Sequence, residues 1–422
     1  MKHTQKILAG ALAVALAAPM GAMATNGYFS HGYGQKSKGM GGAGVAYAQD
    51  AIAAATNPAG MVYVGNRVDI GLEIFRPSRS SEIVHANGGV AQSLDGDGTT
   101  IFAIPEFGYN TMLANNMSFG VTVVGNGGMN TDYKTQVNLF GTTPAGVDLA
   151  QMFILPTWAY KINDKNAVGA SLILAYQRFE ATGLQNFDQV GMTNYVGSVT
   201  NVGYDDSTGF GLRIGWTGKI NDKLTLGATY ASKTKMSEFD KYKGLFAEQG
   251  DFDIPANYAI GLAYEVSPKL TVAFDIERIL YGDVRAIANN LTDPPPPNLG
   301  ADNGAGFGWD DMTAFKLGFV YNYRSDLVLR AGFNHGSQPI PESQTFFNIL
   351  APGVVEDHLT LGATWTLKNK SELTVHYMHA FEKKLKGSAD SVPAEYTGTG
   401  TDGQANLKMY QDSVGMAYSW KF

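Results

Sequence analysis

Cysteine is missing from all 422 residues, which removes disulfides and thiolate metal sites even though an exported chain would be free to form disulfides. Charge is sparse, at 16% Asp, Glu, Lys and Arg, and the formal balance of -7 argues against nucleic acid as a partner. Long hydrophobic runs are absent except at the start. There Lys2 and Lys6 precede an apolar core from Ile7 to Ala18, too short to span a bilayer, and Ala22-Met23-Ala24 is a small-x-small cleavage site. Residues 1–24 therefore read as an export signal, with the mature chain beginning at Thr25. Beyond Ala24 no stretch of about 18 apolar residues occurs, so no transmembrane helix is written there.

What is present is alternation. From Ser413 to Phe422 the chain places Val414, Met416, Tyr418, Trp420 and Phe422 on one face and Ser413, Gly415, Ala417, Ser419 and Lys421 on the other. In an exported chain this is the closing strand of a β-barrel, since a closed barrel is the remaining way to satisfy backbone groups within lipid. Trp420 and Phe422 are expected to serve as the signal read by barrel-assembly machinery. The 51 glycines and 21 tyrosines suit tight turns, a roomy lumen and interfacial aromatic girdles.

From Arg67 onward alternating runs are joined in turn by short and long links. The short ones are 113–116, 163–166, 221–223, 267–269, 324–326 and 368–371, all of turn-forming residues. Lys-Ile-Asn-Asp-Lys occurs twice, at Lys161 and Lys219, as a repeated turn. The count is about fourteen antiparallel strands, an even number that leaves both ends periplasmic. The long links near 84–99, 132–148, 183–208, 241–253, 288–311, 342–356 and 387–408 then lie outside the cell, with Pro294 to Pro297 a stiff arm or a plain spacer. Strand phase turns Asp69, Glu73, Arg213, Asp275, Glu277, Lys316, Arg330 and His376 inward. The fold class is thus an all-β membrane protein, a 14-stranded transmembrane barrel over residues 67–422. Residues 25–66, glycine- and alanine-rich without a two-residue period, are long enough to enter the lumen as a plug. Ile52 to Ala55 suggest a short helix stopped by Asn57-Pro58.

The residues of this plug segment, Asn26-Gly27-Tyr28, Gly32-Tyr33-Gly34, Lys38 to Gly44 and Ala53-Ala54-Ala55-Thr56-Asn57-Pro58-Ala59-Gly60, resemble the N-terminal hatch of FadL-type outer-membrane transporters. That family includes long-chain fatty acid transporters and toluene and xylene transporters. The resemblance implies a fourteen-stranded barrel closed by a hatch, with Asn57, Pro58 and Ala59 as its most specific element. It also implies a third strand that bends inward and leaves a gap in the wall. Here that strand is Met117 to Val124, and Gly125, Asn126, Gly127 and Gly128 follow as the gap; the alternative is an ordinary strand end. The implied function is passive uptake of hydrophobic small molecules: capture by outer loops, transfer to a luminal pocket, hatch movement and lateral release. Lateral exit suits a hydrophobe, because exposing apolar area to water costs about 25 cal/mol per Å².

Long-chain fatty acids are the expected substrate, with aromatic hydrocarbons or alkanes the alternative. Arg213, Lys316 and Arg330 are candidates for the carboxylate by phase alone; each could instead pair with luminal acids or the hatch. Phe140, Leu149, Phe187, Phe346 and Phe347, with Leu139, Val147, Val190, Met192, Tyr195 and Leu350, could form an outer landing groove or simply pack within the loops. The expected partners are the substrate, outer-membrane lipid and lipopolysaccharide; the resemblance implies a monomer.

Other signals are weaker. Gly39-Met40-Gly41-Gly42-Ala43-Gly44 satisfies G-x-G-x-x-G, but no strand precedes it and no nucleotide pool awaits an exported chain. His376 and His379 fall on opposite faces of a strand and cannot share a metal. Asp95-Gly96-Asp97-Gly98 and Asp205-Asp206 complete no calcium pattern. Neither cofactor nor metal is expected. A barrel lipase using His376 with Ser371 or Ser419 has no supporting spacing, and an open porin conflicts with the plug.

Overall fold

The structure, a computed structural model, describes residues 25–86, 88–291, 298–397 and 400–422. The export-signal segment and the Pro294 to Pro297 arm lie outside them. Among the described residues no helix is long and apolar enough to cross a membrane.

Fourteen strands form the barrel: β1 (Arg67–His85), β2 (Phe102–Ala114), β3 (Met117–Gln136), β4 (Pro144–Lys161), β5 (Asn166–Thr182), β6 (Asp205–Lys219), β7 (Leu224–Ala231), β8 (Asn257–Ser267), β9 (Leu270–Ile279), β10 (Met312–Arg324), β11 (Leu327–Gly336), β12 (Asp357–Thr366), β13 (Glu372–Lys386) and β14 (Gly403–Lys421). Each pairs antiparallel with its sequence neighbour, and β1 closes the ring on β14 from Arg67↔Lys421 to His85↔Gly403. Two short strands, Val90–Asp95 and Lys235–Met236, are appended to β1 and β6.

The six short links are the turns of one end. In both copies of Lys-Ile-Asn-Asp-Lys the asparagine side chain caps its own turn: Asn163 accepts from the amides of Lys165 and Asn166, and Asn221 from those of Lys223 and Leu224. Trp158, Tyr160, Tyr264, Tyr323 and Trp420 stand exposed near these turns as one interfacial girdle.

The strands overrun the limits expected from alternation. A membrane crossing needs about 9–11 residues, yet β1 and β14 have 19 each and β3 has 20. Their outer halves stand above the lipid, where the outward side chains no longer need to be apolar although burial still alternates and the ladder still satisfies the backbone. The expected links at 84–99, 183–208 and 387–408 accordingly lose residues to β1, the Val90–Asp95 strand, β6 and β14. Likewise the third strand does not end at Val124. It runs on to Gln136 with the glycine run inside it.

Residues 25–66 lie within the barrel as a folded segment containing helix α1 (Gln35–Lys38) and two 3-10 turns, Ala53–Ala55 and Pro58–Tyr63. The first 3-10 turn falls where Ile52 to Ala55 predicted a helix, and Asn57 does separate it from the next.

Candidate functional site

The N-terminal segment is seated on glycines. A Cβ placed at inward-facing Gly169, Gly215, Gly227, Gly261, Gly318 or Gly332 would strike Pro58, Asn57, Val45 or Met40. Several of these glycines face each other across the ladder, Gly169↔Gly215, Gly227↔Gly261 and Gly318↔Gly332. The wall is therefore cut away where the plug backbone approaches. The plug answers with its own glycines: Gly42 sits at φ +79° with no room for a side chain beside the His31 carbonyl. The Gly39 to Gly44 run does cradle an anion, a carboxylate of the wall. The amides of Gly44 and Val45 donate to Asp275 Oδ2 at 2.7 and 3.0 Å.

Asn57 explains the Asn-Pro-Ala box. Its side-chain oxygen accepts from the Ala59 amide and caps the Pro58–Tyr63 turn. Its side-chain amide donates to the carbonyls of Val45, within the plug, and Trp216, on β6, at 2.7 and 3.0 Å. Pro58 sits at the first position of that turn, where no amide donor is needed.

Polar contacts complete the closure. Lys36 pairs with Glu372 at 2.6 Å, Lys38 with Glu73, and the Ala51 amide donates to Asp69 at 2.8 Å. Burial pushes the His31 imidazole well below the usual histidine range, so it is neutral beside the stacked His358. Of the three cations suggested by phase, Lys316 is paired with Glu277 at 2.7 Å. Arg213 instead donates to the Thr56 carbonyl and Asn257 Oδ1, both at 3.2 Å. Arg330 donates to Gln49 Oε1 at 2.9 Å and Thr364 Oγ1 at 2.7 Å. Both guanidinium residues are buried, and among the described residues neither makes an ion pair.

The wall is interrupted between β2 and β3. Pairing between them stops at Phe107↔Val123. Above that rung Phe102 to Glu106 keep strand partners only on β1, and the only strand β3 pairs with is β4, with single bridges from Gly127 to Phe29 of the plug and from Asp132 to Asp97. A bulge on β3 and a proline on β2, Pro105, which has no amide to donate, lie at the interruption: the register shifts between Gly125 and Gly127 against Met152 and Gln151, so one extra residue changes the inward phase of β3 from even to odd numbers. Asn126 marks it, accepting from Tyr33 Oη at 2.7 Å and donating to Gln151 Oε1 at 3.0 Å. The plug covers the bulge from inside, with the Ser30 amide donating to the Asn126 carbonyl and the Gly128 amide to the Tyr28 carbonyl. Outside, Val68, Phe107, Val123 and Met152 point away from the lumen yet are buried against one another, because the wall is dented there. A cavity of about 480 Å³ opens at the upper part of the interruption, lined by Ile101, Phe102, Ala103 and Val147 and by the charged Asp132, Asp148, Arg178 and Glu180.

Arg79 closes the top of this window and was not singled out from sequence, although it continues the inward phase of Asp69 and Glu73. From β1 it reaches Asn130 on β3, donating to its carbonyl at 2.8 Å and its Oδ1 at 2.9 Å, and it also holds Asp97 and the Thr99 carbonyl.

Two aromatic clusters lie along the bore. In the loops Phe140, Phe187, Phe346 and Phe347 pack with ring centroids 5.1–6.5 Å apart. With Leu149, Val147 and Leu350 they are buried, so they offer no open groove in this conformation, while Val190 is 92% exposed and stands apart. Deeper, Tyr28 and Phe29 of the plug meet Phe252, Tyr281 and Trp309. Tyr281 Oη donates to the Asn26 carbonyl and accepts from the Tyr28 and Phe29 amides, fixing the plug start beside the window. At the other end Phe422 stacks on Tyr109 next to the closing seam.

Solved structures share this architecture. The Pseudomonas putida toluene transporter TodX matches at 19% identity and TM-score 0.69, covering 93% of this chain and 99% of that one. A Pseudomonas aeruginosa FadL homologue matches at 15% identity and TM-score 0.72 over 94% and 100%, and the Ralstonia pickettii toluene transporter TbuX at 18% and 0.64 over 93% and 99%. No curated protein matches. A family model described as outer membrane protein transport protein (OMPP1/FadL/TodX) matches residues 11–422, nearly the whole chain, and the protein therefore belongs to that family of outer-membrane transporters of hydrophobic compounds.

Proposed function

We propose that this transporter takes up long-chain fatty acids and releases them sideways into the membrane between β2 and β3. The observation that carries the choice of substrate is the pair Arg213 and Arg330, buried guanidinium groups whose partners are all neutral. Buried cations whose hydrogen bonds all go to neutral acceptors, with the acids Glu277, Asp50 and Glu372 near but not paired to them, can still take an anion directly, and luminal charges of this kind point to function. Toluene and alkanes supply no anion, whereas a fatty acid supplies the carboxylate that fits a guanidinium bidentately.

The same geometry couples binding to opening. Arg213 and Arg330 hold the plug through Thr56 and Gln49, so a carboxylate that bonds either one competes with the plug for it. Loss of the Thr56 contact loosens the stretch next to Asn57. The acyl chain then follows the aromatic side chains around Tyr28 toward the bulge, and the dented outer face of Phe107, Val123 and Met152 receives it without exposing it to water.

Uptake of oleate and of toluene, compared in a host lacking its own transporter, tests this reading. Arg213→Met with Arg330→Met should lower oleate uptake about tenfold or more, the loss of roughly one charge-assisted hydrogen bond, and leave toluene entry unchanged. Equal loss for both compounds, or none for oleate, would remove the carboxylate from the account.

A further inference from the structure

We propose that the outer face of β13, β14 and β1, at their long-loop ends, binds the phosphorylated sugar head group of lipopolysaccharide. Side chains pointing to lipid form two rungs across four neighbouring strands. One is Lys384, Lys408, Ser80 and Asp95; the next is Lys386, Asn406, Glu82 and Ser93. Lys384 and Lys408 are direct cross-strand partners. Like charges so placed destabilise a strand pair, and the two ammonium groups share a single carboxylate, Glu382, at 3.8 Å from each, which leaves one positive charge of the pair unbalanced. Lys386, exposed on the same side, has no ion pair among the described residues. A groove of about 540 Å³ runs over these rungs.

The level of the site decides what fills it. Phe381 is the last exposed apolar residue of β13 facing lipid, and Lys384 lies three positions further out, about 10 Å along a strand. The lysines thus stand at the upper edge of the hydrocarbon band, on the side of the long external loops. The anions found at that depth in an outer leaflet are the glucosamine phosphates of lipopolysaccharide. Lysine binds phosphate as a compact point charge, a phosphate between Lys384 and Lys408 removes their repulsion, and Glu82 and Glu382 can accept sugar hydroxyls.

The test is native mass spectrometry of the delipidated full-length barrel in detergent, titrated with bisphosphorylated lipid A. Reversing Lys384→Glu, Lys386→Glu and Lys408→Glu together should weaken lipid A retention at least about tenfold. Reversing Lys165→Glu, Lys223→Glu and Lys269→Glu, the same charge change at the opposite end, should not. Folding is checked by heat-modifiable gel mobility, and the corresponding glutamine variants replace the glutamates if needed. Equal retention by all proteins, equal loss in both triple variants, equal binding of dephosphorylated lipid A, or displacement by equimolar inorganic phosphate would each overturn the site.

Discussion

Removal of Thr25 to Asn66 is expected to turn a nearly silent barrel into a conducting one, raising conductance in planar bilayers by at least about tenfold. The fourteen-strand ladder closes without these residues, since every barrel strand pairs with two wall neighbours except at the window. What the plug covers is a polar interior: Asp69, Glu73, Asp275, Arg213, Lys316 and Arg330, with the glycine footprints between them. Freed of the plug, that surface hydrates. Asn57→Ala is the milder form of the experiment. It removes a cap, worth about 1 kcal/mol, and the links to Val45 and Trp216, so brief openings should appear in an otherwise closed barrel. Unchanged conductance after the deletion, with heat-modifiable mobility intact, would take the plug out of the account.

Deletion of the single residue Asn126 should stop oleate uptake, at least about tenfold, while surface abundance holds. The bulge consists of one extra residue. Without it the inward positions of β3 run on in one phase from Ser118 through Thr122 to the residues now numbered Gly127, Met129 and Thr131, and the straightened strand can pair with Phe102 to Glu106. The wall ladder can gain hydrogen bonds while the plug gives up its Ser30 bond to Asn126, so heat-modifiable mobility and bilayer conductance are read alongside uptake to show that the barrel is folded and the plug still seated. Asn126→Ala separates shape from chemistry, because it keeps the bulge and loses only the contacts to Tyr33 and Gln151. It should transport. A valine at Gly127 would be a poorer probe, since its side chain would strike the Tyr28 carbonyl and disturb the plug instead of the window. Normal uptake by the deletion variant would mean that the opening between β2 and β3 carries no substrate.

Alternation made the barrel legible from sequence, because a strand with lipid on one side and a packed lumen on the other must write its phase into its residues. The short turns were equally plain, since Asn163 and Asn221 perform a local task that needs no tertiary context. Strand ends above the lipid were not, for there the outward face turns polar, as at Ser80, Glu82, Asn406 and Lys408, while Ile83, Ala405, Leu407 and Met409 stay buried inside. The Gly125 to Gly128 run pointed to a disturbance of the third strand, but only pairing on both sides reveals a bulge within a continuous strand in place of an end. Arg79 carried its inward phase in the sequence. Its role as the upper clasp of the window arises from Asn130 and Thr99, distant in sequence, meeting it across the interruption. Phase likewise brought Arg213 and Arg330 inward, yet nothing in a one-dimensional pattern could show that Thr56 and Gln49 of the plug would be their acceptors.

Photo-crosslinking distinguishes lateral release between β2 and β3 from passage straight down the lumen. Intact outer membranes carrying the transporter would be loaded with a fatty acid bearing a diazirine near its methyl end, irradiated, and the adducts mapped by peptide mass spectrometry. Adducts are expected on Phe102, Ala103, Val123, Met129 and Met152, on both edges and the outer dent of the window, and should disappear when Asn126 is deleted. Adducts that skip those residues and continue down the lumen to the turns at Asn163 and Asn221 would show passage straight through the barrel and contradict lateral release.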